Sequence, residues 1–203
     1  MSQSDVIAVF FTADDNAADN ASVSAAERPN TSFTIGGTDA SGGTATFSAG
    51  RIITCTTAGT GDNGKTVTIT GTDVNGDSQT EVITLPGSAT TTAGTKYFRT
   101  VTAAEASAQP AANVSIGMSS DAGDVIFAGR SRLQGAFIVN SATAGVINFT
   151  NTSPAGTALM KLGTVASATV SRDITVPDDG VVFSDGVYIP VSYTHLRAHE
   201  TAT

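Results

Sequence analysis

The eight residues Gly59 to Thr66, GTGDNGKT, satisfy the nucleotide-binding pattern G-x-x-x-x-G-K-S/T at every position. In a phosphate-binding loop of this kind, backbone N–H groups surround the phosphates, Lys65 would reach the outer phosphates and the Thr66 hydroxyl would ligate magnesium. The loop must also open a helix, because a helix N-terminus supplies further N–H groups and a favourable dipole. The residues after the loop therefore decide whether this chemistry is available.

Those residues predict a strand. In KTVTITGTD, residues 65–73, threonine alternates with Val67 and Ile69 at a period of two, and these side chains suit a pleated surface. Without a helix N-terminus, neither the lysine-containing pattern nor the overlapping G-x-G-x-x-G pattern of the same loop has the context that phosphate binding requires. We therefore predict a turn between two strands and no nucleotide site.

A second candidate site is DVNGD, where oxygen-bearing side chains recur at Asp73, Asn75 and Asp77. The spacing matches the first half of a calcium-binding loop, but the glutamate at the twelfth position is missing, since residue 84 is threonine. Asn75-Gly76 is instead a strong hairpin signal, because both residues accept the positive φ of a type I′ turn. We predict a hairpin and keep the three oxygen-bearing residues only as a weak calcium candidate.

The register of this hairpin stays open between two arrangements. A two-residue loop sets Ile69 opposite Val82. An odd loop with a bulge instead places Val67 and Ile69 against Leu85 and Ile83.

Both histidines of the chain lie in SYTHLRAHETAT, residues 192–203. His195 and His199 have the i, i+4 spacing of metal ligands on a helix, although the order is not that of H-E-x-x-H. The segment resembles a translated sequencing-adapter read-through, so we expect an artefactual tail. Without it, a serine or cysteine nucleophile has no histidine base, and PDDG, residues 177–180, is typical of a tight turn. We predict no catalytic site, no metal and no cofactor.

The composition limits the classes of partner that the chain is expected to bind. The 203 residues carry a formal charge of −8, and charged residues are 14% of the chain, against about 25% in an ordinary domain. The ten basic residues are spread singly, which argues against nucleic acid. Residues 6–11, VIAVFF, lack a preceding positive region and are followed by acidic residues, so we expect neither a signal peptide nor a membrane span. Cys55, the one cysteine, occupies an apolar strand position and is predicted to be buried.

Short alternating runs separated by turn residues predict an all-β fold of two small antiparallel sandwich- or barrel-like units in tandem. The predicted divisions are an N-terminal arm (1–31), a first β domain (32–118), a linker (119–134), a second small β domain (135–191) and the artefactual tail (192–203). Each unit has fewer than about ninety residues, a size at which stability is marginal without association. We therefore expect the chain to form a homo-oligomer.

Two runs in the first unit resemble a β-rich module of tailed-phage structural proteins. They are RIITCTTAGTGDNGKTVTITGTDVNGDSQTEVITLPG and TKYFRTVTAAEASAQPAANVSIG, and the later GVVFSDGVYI is similar to the final strand pair of small virion domains. The resemblance spans about residues 50–190 and implies a head-decoration, head-fibre or tail-associated protein that carries no catalytic or cofactor residues. It also implies assembly in the host cytoplasm and a place in the virion.

The interaction candidates are apolar residues of the arm, which could add as a strand to a neighbour, and basic residues that suit an acidic neighbour. They are Val6, Phe10, Phe11, Arg51, Lys96, Arg99, Arg130 and Arg132. The expected partners are copies of the chain, with a trimer as one candidate assembly, and major capsid or tail proteins.

The alternative function is a surface adhesin or a carbohydrate-binding module. Sugar binding relies on stacked aromatic rings, and the chain has no tryptophan and three tyrosines, one of them in the expected tail. Tyr97, Tyr188 or phenylalanines would have to form the platform, and a glycan array separates this alternative from a structural role.

Overall fold

The computed structural model describes residues 19–119, 124–140, 144–165 and 170–190, and every regular element in these ranges is a β-strand. The predicted all-β class is confirmed. The strands are β1 (Asp19–Glu27), β2 (Ala40–Ser41), β3 (Thr44–Thr57), β4 (Thr66–Thr72), β5 (Ser78–Thr84), β6 (Thr91–Ala106), β7 (Val114–Met118), β8 (Asp124–Ala128), β9 (Ser131–Leu133), β10 (Gly135–Asn140), β11 (Gly145–Asn151), β12 (Ala158–Thr164), β13 (Val170–Thr175), β14 (Val181–Phe183) and β15 (Gly186–Ile189).

The first unit is organised around the long strand β3. It pairs with β6 on one side and with β7 on the other, while β4 joins β6 to β5 and β1 joins β7, all antiparallel. Register shifts between Thr46 and Arg51 and between Ile52 and Thr54 divide the pairing of β3 with β6 into three segments, as bulges do when they bend a strand. The alternation read from the sequence therefore belongs to one continuous strand across ATFSA and RIITCTT.

Alternate side chains of these strands point into one apolar core. In β4 the burial alternates residue by residue, with Val67 and Ile69 at 0% exposure. Cys55 is fully buried in the same core, as predicted. β1 also contributes, since Val23 lies in this core and β1 pairs with β7. Residues 19–27, which the sequence assigned to the arm, thus form a strand of the first unit.

The hairpin between β4 and β5 forms at the predicted place with a different turn and register. Val67 lies opposite Ile83 and Ile69 opposite Glu81, so both predicted registers are wrong. Gly76 has a φ of 88° and its N–H bonds to the Asp73 carbonyl, while Asn75 has no positive φ. This is a three-residue loop with one left-handed glycine, not a two-residue type I′ turn. The odd loop keeps Val67 and Ile83 on the buried face.

The second unit is a sandwich-like pair of layers. One layer is the antiparallel series β12-β11-β15-β8, and the other consists of the two-stranded sheets β10–β13 and β9–β14. Their facing side chains form a second apolar cluster around Phe149, Phe183 and Val187. β8 and β9 lie within the stretch 119–134 that the sequence assigned to a linker.

Backbone pairing joins strands of the two units into one continuous sheet. Gly50 of β3 pairs with Val125 of β8, which joins the series of the second unit to that of the first. A Cβ atom at position 50 would lie 2.8 Å from a methyl carbon of Val74 and 3.2 Å from the Cβ atoms of Tyr97 and Val125. Glycine therefore permits the close approach of the two units.

Candidate interaction surfaces

The lysine-containing loop folds around a buried carboxylate. Asp62 has no exposed surface, and its Oδ1 accepts hydrogen bonds from the Ala111 N–H at 2.5 Å and from Lys65 Nζ at 3.1 Å. The peptide after Lys65 enters β4 at Thr66, as predicted, and the Thr66 N–H donates to the Ser107 hydroxyl. The lysine is thus paired within the loop, and the geometry is that of a turn between two strands.

These contacts set the ionisation of Asp62. Burial by itself raises the pKa of the carboxyl group, but the hydrogen bonds from the Ala111 backbone and from Lys65, together with the lysine charge, outweigh it, so the pKa lies below its ordinary value of 3.8. The carboxylate therefore stays charged and ties 62–65 to the loop at 111. The arrangement stabilises the fold.

The weak calcium candidate is engaged in the hairpin. Asp73 Oδ1 accepts hydrogen bonds from the backbone N–H groups of Asn75 and Asp77 at 2.8 and 2.9 Å. The Asn75 amide instead reaches the second unit, where Nδ2 donates to the Ala128 carbonyl at 2.8 Å and Oδ1 accepts from the Ala128 N–H at 3.3 Å. In the part of the chain that the structure describes, no cluster of three or more His, Cys, Asp or Glu side chains is placed to hold a metal.

The two tyrosines considered as a sugar platform pack against each other. The rings of Tyr97 and Tyr188 are 5.7 Å apart in an edge-to-face arrangement, with an angle of 61° between their planes. They lie at the junction that Asn75 and Gly50 form, and both are at least partly buried. Ring faces that already pack within the protein offer little surface for stacking a sugar.

The structure does not gather the predicted basic residues into one patch. Arg51 is 1% exposed, so it is unavailable to a neighbour of the folded chain. Lys96 is exposed and its Nζ donates to the Thr80 carbonyl at 2.8 Å; Arg99 is half-buried. Arg130 is exposed, and Arg132 forms an exposed ion pair with Asp179 at 2.9 Å. Val6, Phe10 and Phe11 lie outside the described residues.

Large apolar side chains on the outside of the second unit are the feature that sequence reasoning missed. Phe137 is 70% exposed, and the other members are Val139 (51%), Val146 (48%), Leu159 (41%), Val182 (38%) and Val165 (37%). In the first unit, Val82 on β5 is 61% exposed. The signal was present in GAFIVN, where four consecutive apolar residues must place apolar groups on both faces of a strand.

Comparison with known proteins gives no relative: no family model matches the chain, and no curated protein or solved structure matches it. None of the described residues forms a helix that is long and apolar enough to cross a membrane.

Proposed function

We propose that the protein is a non-enzymatic structural component of a tailed-phage virion, of the capsid-decoration or head-fibre type. It acts by packing against copies of itself and against a major capsid or tail protein. The observation that carries the proposal is the set of outward-facing apolar side chains on the second unit, led by Phe137. Phe137, Val139 and Val182 lie on the outer face of one layer of this unit, and Val146 and Leu159 lie on the outer face of the other. Large apolar side chains exposed in groups are typical of surfaces that other proteins cover.

The chemistry of the described residues supports the same conclusion. The loop that matches a nucleotide-binding pattern ends in a strand, and its lysine is paired with Asp62. The amide of Asn75 holds the two units together. Asp62, Lys65 and Asn75 thus maintain the fold, and the exposed apolar side chains of the second unit are the feature best placed to act on a partner.

The test uses the reading frames that neighbour this gene on its source DNA. We expect one of these reading frames to encode a capsid or tail protein. When the chain is co-expressed with that protein, it should co-sediment with the assembled particles. Leu159→Lys changes the proposed surface, and Val82→Lys is the matched control on the first unit. We expect Leu159→Lys to reduce retention on the particles and Val82→Lys to leave it unchanged. No neighbouring virion gene, or no retention of the wild-type chain, contradicts the proposal.

A further inference from the structure

Strand β10 has a free edge of unusual composition. It pairs with β13 on one side, and no other described strand pairs with it. Its six residues, GAFIVN, contain no charge and no proline. Phe137 and Val139 point outwards, while Ala136 and Ile138 pack against the core of the second unit. An unpaired edge with these properties is a template for another strand.

The other long edges among the described strands are covered or charged. The chain at 36–39 donates backbone hydrogen bonds to carbonyls of β1. β5 carries Glu81, whose carboxylate accepts from the Thr95 N–H, and the Lys96 ammonium occupies the Thr80 carbonyl of the same strand. β12 carries exposed Lys161, and β13 carries exposed Asp173. Such charges oppose the addition of a strand, so β10 is the edge where a second chain can approach.

We propose that β10 of one copy pairs antiparallel with β10 of a second copy, about a two-fold axis at Ile138. The proposal deepens the proposed function and rests on it for its place in the virion. In a symmetric pair, residues that face outwards must lie opposite residues that also face outwards. A centre at Ile138 sets Phe137 of each copy opposite Val139 of the other, so that the four exposed side chains pack side by side on one face of the extended sheet.

The charge of the chain limits where two copies can meet. Each chain has a formal charge of −8, so two copies repel each other over most approaches. The uncharged β10 edge gives backbone pairing and apolar contact without adding like charges to the interface. Because salt screens the remaining repulsion, the association should strengthen as ionic strength rises.

The size of the contact sets its strength. Two phenylalanine and two valine side chains that pack side by side bury less area than the roughly 1,200–2,000 Å² of a stable interface. We therefore expect a weak dimer in solution that forms only at high protein concentration. Copies held side by side on a particle have a much higher effective concentration, which is sufficient to make such a weak contact form.

Sedimentation equilibrium of the full chain over a concentration series tests the pairing. Val139→Lys places a charge on the β10 edge and should weaken dimerisation about tenfold or more. Val82→Lys is the matched control, because Val82 is similarly exposed at 61% but lies on β5 of the first unit, outside the proposed contact. Equal melting temperatures establish that both variants fold. A chain that remains monomeric, forms a trimer, or dimerises equally well with Val139→Lys overturns the proposal.

Cysteine cross-linking tests the register. Phe137→Cys mixed with Val139→Cys should form a disulfide-linked pair, because directly opposite Cα atoms lie about 4.5–5.5 Å apart. Either variant alone places its cysteines on a diagonal of about 7–8 Å, too far for a disulfide, and Cys55 is buried and should stay reduced. Equal cross-linking of the mixture and of the single variants contradicts the register. Dimers that never bind particles would contradict only the virion role, whereas monomers that bind particles would contradict only the pairing.

Discussion

The two units of the molecule are both built from antiparallel strands, but they enclose their apolar side chains to different degrees. The first core consists of seventeen buried residues with two half-buried residues packed against it. The second has five buried residues and eight half-buried ones. The second unit also carries most of the exposed large apolar side chains among the described residues. The first unit therefore encloses its own core, whereas the second leaves more of its large apolar side chains exposed to solvent.

The largest expected effect separates the two cores. Phe98 and Phe183 are both 0% exposed, one in each unit, and replacing either with alanine should lower the free energy of unfolding by about 3–5 kcal/mol. The reactivity of Cys55, which lies in the first core, distinguishes the two variants. Burial, with a smaller contribution from the charge of Glu81, raises the pKa of its thiol to about 12, so the thiol reacts slowly while that core is intact. Thiol labelling at neutral pH should accelerate in Phe98→Ala and stay slow in Phe183→Ala. Equal acceleration in both would mean that the units unfold together.

The next effect concerns the junction. Asn75→Asp replaces the donor to the Ala128 carbonyl with an oxygen, so the contact between the units should weaken by about 1–3 kcal/mol. Calorimetry should then resolve the melting of the second unit from that of the first. Asn63→Asp is the control, since Asn63 is exposed and also precedes a glycine. A junction unaffected by Asn75→Asp would show that Gly50 and Val125 suffice to hold it.

A similar effect, confined to the first unit, depends on pH. The folded state lowers the pKa of Asp62, so its contribution is fully present above the ordinary value of 3.8 and is lost as pH falls through the lower folded value. Asp62→Asn should lower the free energy of unfolding by about 1–3 kcal/mol at pH 7 and by less under acid conditions. Asp77→Asn, at an exposed position, is the control. Urea titrations at several pH values measure both, and a difference that grows towards acid pH would contradict the assignment.

The smallest effect compares exposed valines. Val182→Thr in the second unit and Val82→Thr in the first should each change the free energy of unfolding by no more than about 0.5 kcal/mol. Binding of a hydrophobic fluorescent dye should nevertheless fall more with Val182→Thr, because Val182 belongs to the more apolar surface. The same loss of dye signal in both variants would remove the distinction between the two surfaces.

Local patterns predicted the parts of the fold that depend on neighbouring residues. The alternation of Val67 and Ile69 identified β4 and excluded a helix after Lys65. The apolar strand position of Cys55 correctly predicted that its side chain is buried. The pair Asn75-Gly76 located the hairpin, but not its register, because both registers considered differ from the observed one by a shift along β5. Turn preferences fix where a chain reverses, whereas packing of Val67 against Ile83 selects the alignment.

Contacts between distant residues could not be read from these patterns. Nothing in SAG (48–50) or DVIFA (124–128) indicates that Gly50 and Val125 pair. The role of Asn75 was also hidden, since its oxygen suggested a calcium ligand until Ala128 was placed beside it. The exposed face of β10 could have been found from four consecutive apolar residues, but its free edge required the strand order.

The narrow connection at Gly50 also determines how the molecule responds to mechanical load. One ladder pair and the amide of Asn75 join two bodies whose own strands are held by many ladder bonds. Under tension applied across the units, these few bonds carry the force before the cores do. We expect the units to part and rejoin at forces too low to unravel either one.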